Sequence, residues 1–107
     1  MGKLPYKTCN PRGCEIFLYD NRYNEHIKNR HPTVSIEAIL ETIEDPDIIT
    51  QDINNPSGEN YYARGVIPDA PNFFLKVCVH IGTSNRKVVT AFELDRPKQK
   101  EQVIWRR

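Results

Sequence analysis

Two arginines and two histidines lie close together in the chain, in the order Arg22, His26, Arg30 and His31. Imidazoles titrate near neutral pH and can move protons, and guanidinium groups bind anions. If residues 20–30 form a helix, Arg22, His26 and Arg30 recur at i, i+4 and i+8, where cationic groups repel one another unless an anion lies across them. The spacing therefore points to an anionic ligand.

The second histidine of this group, His31, follows His26 by five residues, roughly 140° round a regular helix. The two imidazoles can face one site only if the last turn unwinds. Pro32 favours unwinding because it disfavours the helical conformation of the residue before it. The alternative is that His26 is simply solvated and that His31 caps the last carbonyl groups.

The elements that must position these residues follow from hydrophobic spacing. Ser35 is a plausible N-cap for a second helix, in which Ile36, Ile39 and Ile43 form the buried stripe. Alternating apolar residues and turn signals predict strands over residues 14–19, 48–50, 60–66, 73–81, 87–94 and 102–106.

Residues 73–81 alternate most clearly, with Leu75, Val77 and Val79 on one side and Lys76 and His80 on the other. We therefore predict a single α+β domain over residues 1–107, with two N-terminal helices packed on one face of a four- to five-stranded antiparallel sheet. The strand at 73–81 should be central. Lys76 and His80 should project from the open face.

Cleavage of RNA without a metal needs a base, an acid and groups that stabilise the charged phosphorane. The chain offers residues for each role, and tyrosine rings on which an unpaired base could stack. The catalytic candidates are His26, His31, Tyr62, Arg64 and Thr90, and the substrate-binding candidates are Arg22, Arg30, Tyr61, Lys76 and His80. Each also has a structural interpretation: tyrosines pack in strands, Arg64 could serve a local salt bridge, and Lys76 could be solvated.

The net charge of +1 conceals an uneven distribution. Residues 1–31 carry six basic and three acidic side chains, residues 32–72 carry one and eight, and residues 73–107 carry eight and three. If the two basic ends pack together, they form a positive face that attracts polyanions. The alternative is that the acidic middle neutralises them within the fold.

The remaining composition predicts no metal, no cofactor and no membrane segment. Cys9 and Cys14 could form a disulfide or stay free, and the lack of a secretion signal favours free thiols in a cytoplasmic protein. The cysteines and histidines do not have the paired spacing of a zinc site. No apolar run approaches the roughly 18 residues of a membrane helix.

The order of the segments LYDNRYNEHIKNRHP, ILETIEDPDII, NYYAR, FFLKVCVHI and KVVTAF resembles the phage-associated branch of the barnase/EndoU/colicin/RelE-type nucleases, the BECR fold. The similarity runs over about residues 18–92. It implies N-terminal helices on an antiparallel sheet and a metal-independent ribonuclease activity. The motif positions of that family correspond here to His26, Arg30, His31, Tyr62, Arg64 and Thr90.

The leading hypothesis is a phage- or toxin-related ribonuclease that cleaves single-stranded or structured RNA by attack of its own 2′-hydroxyl, with a cognate inhibitor protein as a further partner. The alternative is a non-catalytic module that binds RNA or a protein through the same positive face. A third hypothesis is a cytosolic domain with an unrelated role.

Overall fold

A seven-stranded mixed sheet organises the computed structural model, which describes residues 6–98 and 100–107. In the sheet the strands follow the order β1-β2-β6-β5-β4-β3-β7. Along the chain they are β1 (Tyr6–Cys9), β2 (Glu15–Leu18), β3 (Ile48–Gln51), β4 (Gly58–Arg64), β5 (Phe74–Ile81), β6 (Arg86–Leu94) and β7 (Gln102–Arg106).

A helical segment follows β2, and its middle is wider than an α-helix. It consists of α1 (Asp20–Arg22), a π-helical turn (Tyr23–Ile27) and α2 (Lys28–Arg30). The backbone N–H of Lys28 donates to the carbonyl of Tyr23, five residues earlier, as in a π-helix. The predicted end before Pro32 is confirmed, because His31 leaves the helical region with φ −136° and ψ 71°.

Helix α3 (Ile36–Glu44) begins where the sequence predicts. The hydroxyl of Ser35 accepts a hydrogen bond from the backbone N–H of Ala38, which satisfies one free donor of the first turn. Ile39 and Ile43 are fully buried, as their spacing indicates.

The core lies between the helices and one face of the sheet. Leu75 and Val77 of β5 have no solvent-exposed surface, and Val79 has 2%. Tyr61 of β4 pairs with Val77 and is equally buried. The predicted alternation of β5 is therefore confirmed, and so is its central position, with three strands on either side.

The prediction of a four- to five-stranded antiparallel sheet is wrong. The sheet has seven strands, and β2 runs parallel to β6, with Ile16 beside Arg86. Two strands precede the helices, so the helices do not open the fold. The sequence concealed β1 because its four residues have no fully buried position, and short edge strands are held mainly by backbone hydrogen bonds.

Val77 tests the central position of β5. Val77→Asp should lower the free energy of unfolding by several kcal/mol, about 3 or more, because an unpaired charge would lie in the core. Denaturant unfolding of the purified protein measures the loss. Val103→Asp on edge strand β7, where the side chain is 38% exposed, is the control and should cost about 1 kcal/mol or less. Equal stability of the two variants would contradict the core described above.

Candidate functional site

A polar cleft separates the helical segment from strand β6. Strand β2 pairs with β6 only at Arg86 and Lys87, so beyond these residues the edge of β6 faces the helical segment instead of another strand. The cleft has a volume of about 530 Å³. Its walls include Arg22, Glu25 and His26 from the helical segment and Lys87, Val88 and Val89 from β6.

The cleft contains more positive than negative groups. Arg22 and Lys87 are exposed, and neither forms a salt bridge with another residue of the described ranges. Among the described residues, Glu25 is the one carboxylate on its walls. Two unpaired cations beside an imidazole attract anions, and a concave site strengthens the effect. Arg22 was predicted to bind substrate, whereas Lys87 was not, because its strand position alone does not reveal the helical segment beside it.

The charges around His26 change its titration. Partial desolvation lowers the pKa of His26 most, and nearby positive charges lower it further: those of Arg30, Arg22 and protonated His31. The repulsion predicted from the i, i+4, i+8 spacing is therefore present in the folded protein. At neutral pH the imidazole is mainly neutral and can accept a proton.

The other helical histidine, His31, is held by a carboxylate from β6. Its Nδ1 lies 3.3 Å from Oε1 of Glu93, and its ring centroid lies 5.7 Å from that of Phe92. The hydroxyl of Thr33 donates to the second oxygen of Glu93 at 2.6 Å. This hydrogen bond lowers the pKa of the Glu93 carboxyl group most, and a hydrogen bond from the backbone N–H of Glu93 itself lowers it further.

A charged Glu93 fixes the orientation of the imidazole. The carboxylate lies beside Nδ1, so Nε2 remains for another partner. Such pairs of a histidine and an orienting carboxylate recur in proton-transfer sites. No sequence motif indicates a role for Glu93. Its one distinguishing feature in the sequence is that it is one of three acidic residues among the eleven charged residues after position 72.

The two histidines lie beside different residues of the same strand. His26 lines the cleft beside Val88 and Val89, and His31 contacts Phe92 and Glu93. Phe92 lies three positions after Val89 on β6, a distance of roughly 10 Å along a strand. The unwound end of the helical segment therefore places both imidazoles at the edge of β6 at successive positions.

Both tyrosines proposed as base platforms are fully buried. The hydroxyl of Tyr61 accepts a hydrogen bond from Asn10 at 2.9 Å and donates to Glu59 at 3.2 Å. The hydroxyl of Tyr62 donates to Glu101. Burial raises the pKa of the Tyr62 phenol most, and this hydrogen bond raises it further. Neither ring is available for stacking with a nucleobase. The observed contacts agree with the alternative given above, that both tyrosines pack within the sheet.

The expectation that Lys76 projects from an open sheet face is wrong. Its side chain is 5% exposed, and its Nζ lies 3.1 Å from Oε2 of Glu101, which is 2% exposed. Thr50 also donates to Glu101, at 2.6 Å. Burial raises the pKa of Glu101, but hydrogen bonds from Thr50, Tyr62 and Lys76 outweigh it, so the pKa is lowered and the carboxylate stays charged. Glu101, the residue directly before β7, therefore covers this part of the face.

The remaining candidates are not among the residues that line the cleft. Arg64 is exposed at the end of β4, with β5 between it and β6, a separation of roughly 10 Å. Thr90 is half-buried opposite Cys78, and His80 is half-buried opposite Lys87. Arg30 is exposed at the end of α2 and influences the site through its effect on the pKa of His26. The cleft therefore does not bring Arg64, Thr90 and His80 together, and their roles as site residues stay predictions.

No protein-family model, curated protein or solved structure matches this chain. The resemblance to the nuclease superfamily therefore remains a hypothesis. Within residues 6–98 and 100–107, no three His, Cys, Asp or Glu side chains are grouped to bind a metal ion. Cys9, Cys14 and Cys78 are free thiols. None of the helices in those ranges has the length and apolar character that crossing a bilayer requires.

The buried pair of Lys76 and Glu101 should contribute to stability. Glu101→Gln leaves the ammonium of Lys76 buried without a counter-ion, and we expect a loss of about 3 kcal/mol in the free energy of unfolding. The contribution is complete above the unfolded-state pKa near 4.5 and is lost as the pH falls through the lower folded-state pKa. Denaturant unfolding between pH 7 and pH 3 measures both effects.

The control for this variant is Glu15→Gln, which breaks the exposed pair with Lys7 and should cost about 1 kcal/mol or less. Adding Lys76→Met to Glu101→Gln should restore part of the stability, because no buried charge then lacks a partner. A Glu101→Gln protein as stable as Glu15→Gln would show that the buried pair is not a stabilising interaction.

Arg30 and Arg22 should set the titration of His26. Replacing either with methionine should raise the pKa of His26, because a positive charge that opposes protonation is removed. The ring proton signals of the histidine, followed by NMR across pH 5 to 8, measure the change. Lys28→Met is the control, since this exposed residue of α2 is not among the charges that lower the pKa. An unchanged pKa in both arginine variants would exclude the electrostatic coupling.

Proposed function

We propose that this protein binds the phosphate backbone of RNA in the cleft and cleaves the strand by attack of the 2′-hydroxyl. The observation that carries the proposal is the grouping of Arg22, Lys87 and a histidine of lowered pKa at the free edge of β6. The cations have no counter-ion among the described residues, which favours an anionic ligand. The resemblance in sequence to BECR-type nucleases supports the same activity.

In this proposal the two histidines have different roles. His26 is neutral near pH 7 and takes the proton from the 2′-hydroxyl. His31, which lies beside the carboxylate of Glu93, gives a proton to the departing 5′-oxygen. Arg22 and Lys87 bind the phosphate and stabilise the negative charge that grows on its oxygens in the transition state. Glu93 touches no substrate in this scheme and acts as a positioning residue.

Incubation of the purified protein with labelled single-stranded RNA in EDTA should yield fragments with 2′,3′-cyclic phosphate ends. His26→Asn and His31→Asn should each lower the rate about a hundredfold or more if the residue transfers a proton. Glu93→Gln should slow cleavage about tenfold or more, because the imidazole loses its orienting charge. Glu41→Gln, on the exposed side of α3, is the matched control and should leave the rate unchanged.

Unfolding temperatures must first show that each variant is folded, since loss of structure also abolishes activity. Wild-type protein that binds RNA with a steep salt dependence but leaves it intact would establish the alternative, a binding module without catalysis. If no salt-dependent binding occurs at low ionic strength, the nucleic-acid hypothesis is wrong in both forms.

A further inference from the structure

A second, smaller pocket lies at the other end of the short pairing between β2 and β6. It has a volume of about 330 Å³ and adjoins the turn between β5 and β6. Its walls include Phe17 of β2, Ser84 and Asn85 of the turn, and Arg86, the first residue of β6. We call it the Arg86 pocket. None of the sequence motifs described above involves Arg86.

The guanidinium of Arg86 has an unsatisfied donor. Its Nε is buried and has no hydrogen-bond partner among the residues that the structure describes. Arg86 also forms no salt bridge within those ranges. Buried donors in folded proteins are nearly always paired, so an orphaned N–H beside a pocket indicates a missing acceptor. A guanidinium binds oxyanions best, because two of its N–H groups can donate in parallel to two oxygens.

An acidic residue on the pocket wall does not fill this role. Glu15 lines the pocket, but its carboxylate is paired with Lys7 at 3.5 Å on the exposed side of the β1–β2 hairpin. No hydrogen bond joins Glu15 to Arg86 in the described structure. The guanidinium of Arg86 therefore has no acceptor among the described residues, and because the side chain is only half-buried, part of it is open to a ligand.

Two aromatic rings connect this pocket to the cleft. Phe17 lines the Arg86 pocket, Tyr19 lines the cleft, and their rings stack with centroids 6.2 Å apart and an interplanar angle of 25°. The side-chain amide of Asn85 donates to the hydroxyl of Tyr19 at 3.2 Å. A single extended ligand could therefore occupy both cavities.

We propose that the Arg86 pocket is a second phosphate subsite, which holds a neighbouring phosphate of the strand whose first phosphate lies in the cleft. The identification of the ligand as RNA rests on the proposed function, whereas binding of an oxyanion at Arg86 rests on the unpaired, half-buried guanidinium that lines the pocket. The hydroxyl of Ser84 lines the same pocket and can donate to the anion.

The first test uses inorganic phosphate and does not depend on catalysis. Titration of the ¹⁵N-labelled protein should shift the Nε–H signal of Arg86 and the backbone signals of Ser84 and Asn85. Arg86→Met replaces the guanidinium with an apolar side chain of similar length. In this variant the shifts at Ser84 and Asn85 should disappear while those at the cleft remain. An Nε–H signal that stays fixed while the cleft signals saturate would overturn the subsite.

The second test measures RNA binding as a function of salt. Loss of one phosphate contact to a single strand should reduce the log-log salt slope by about 0.7 in Arg86→Met. Arg106→Met, an equivalent change at exposed strand β7 on the far edge of the sheet, should leave the slope unchanged. Arg86→Lys keeps the charge but lacks the planar pair of donors, so its affinity should fall between wild type and Arg86→Met.

The two proposals can fail separately. If phosphate shifts the Arg86 signal but RNA is never cleaved, the subsite stands and the catalytic proposal is wrong. If RNA is cleaved and Arg86→Met retains the wild-type salt slope, the catalytic proposal stands and the subsite is wrong.

Discussion

The short parallel pairing between β2 and β6 is the constraint on which the candidate site depends. It spans two residues of each strand, Ile16 and Phe17 beside Arg86 and Lys87, and then the strands part. A strand edge carries unpaired backbone groups that a fold must cover or use. Here the helical segment lies along the freed edge, with a polar cleft between the two. Had β2 continued beside β6, another strand would occupy the place of the cleft.

Electrostatics then distinguish this edge from the rest of the surface. The helical segment brings Arg22, His26 and Arg30 to one side, and β6 brings Lys87. Such a grouping is unfavourable by itself, because like charges on neighbouring helix turns repel. Stability elsewhere, in the core around β5 and in the pair of Lys76 and Glu101, offsets this cost. Functional sites commonly carry local strain of this kind, which a ligand of opposite charge relieves.

The two faces of the sheet also explain why the site lies at an edge. One face is covered by the helices, and on the other the carboxylate of Glu101 covers Lys76 and binds Tyr62 and Thr50. A buried charge with several hydrogen bonds resists solvent entry and fixes Glu101, the residue directly before β7, against the sheet. Residues that look reactive in the sequence, above all Lys76 and Tyr62, are thus occupied by structural contacts.

The sequence by itself determined the local elements. The N-cap at Ser35, the apolar period of α3 and the alternation of β5 each follow from neighbouring residues, and so does the stripe of Arg22, His26 and Arg30. The tertiary structure alone decided the parallel pairing, the edge strands and the partners of the histidines. Sixty residues separate Thr33 from Glu93, and twenty-five separate Lys76 from Glu101. Such contacts depend on strand order, which periodicity does not encode, because a strand pattern specifies which face is buried and not which strand lies beside it.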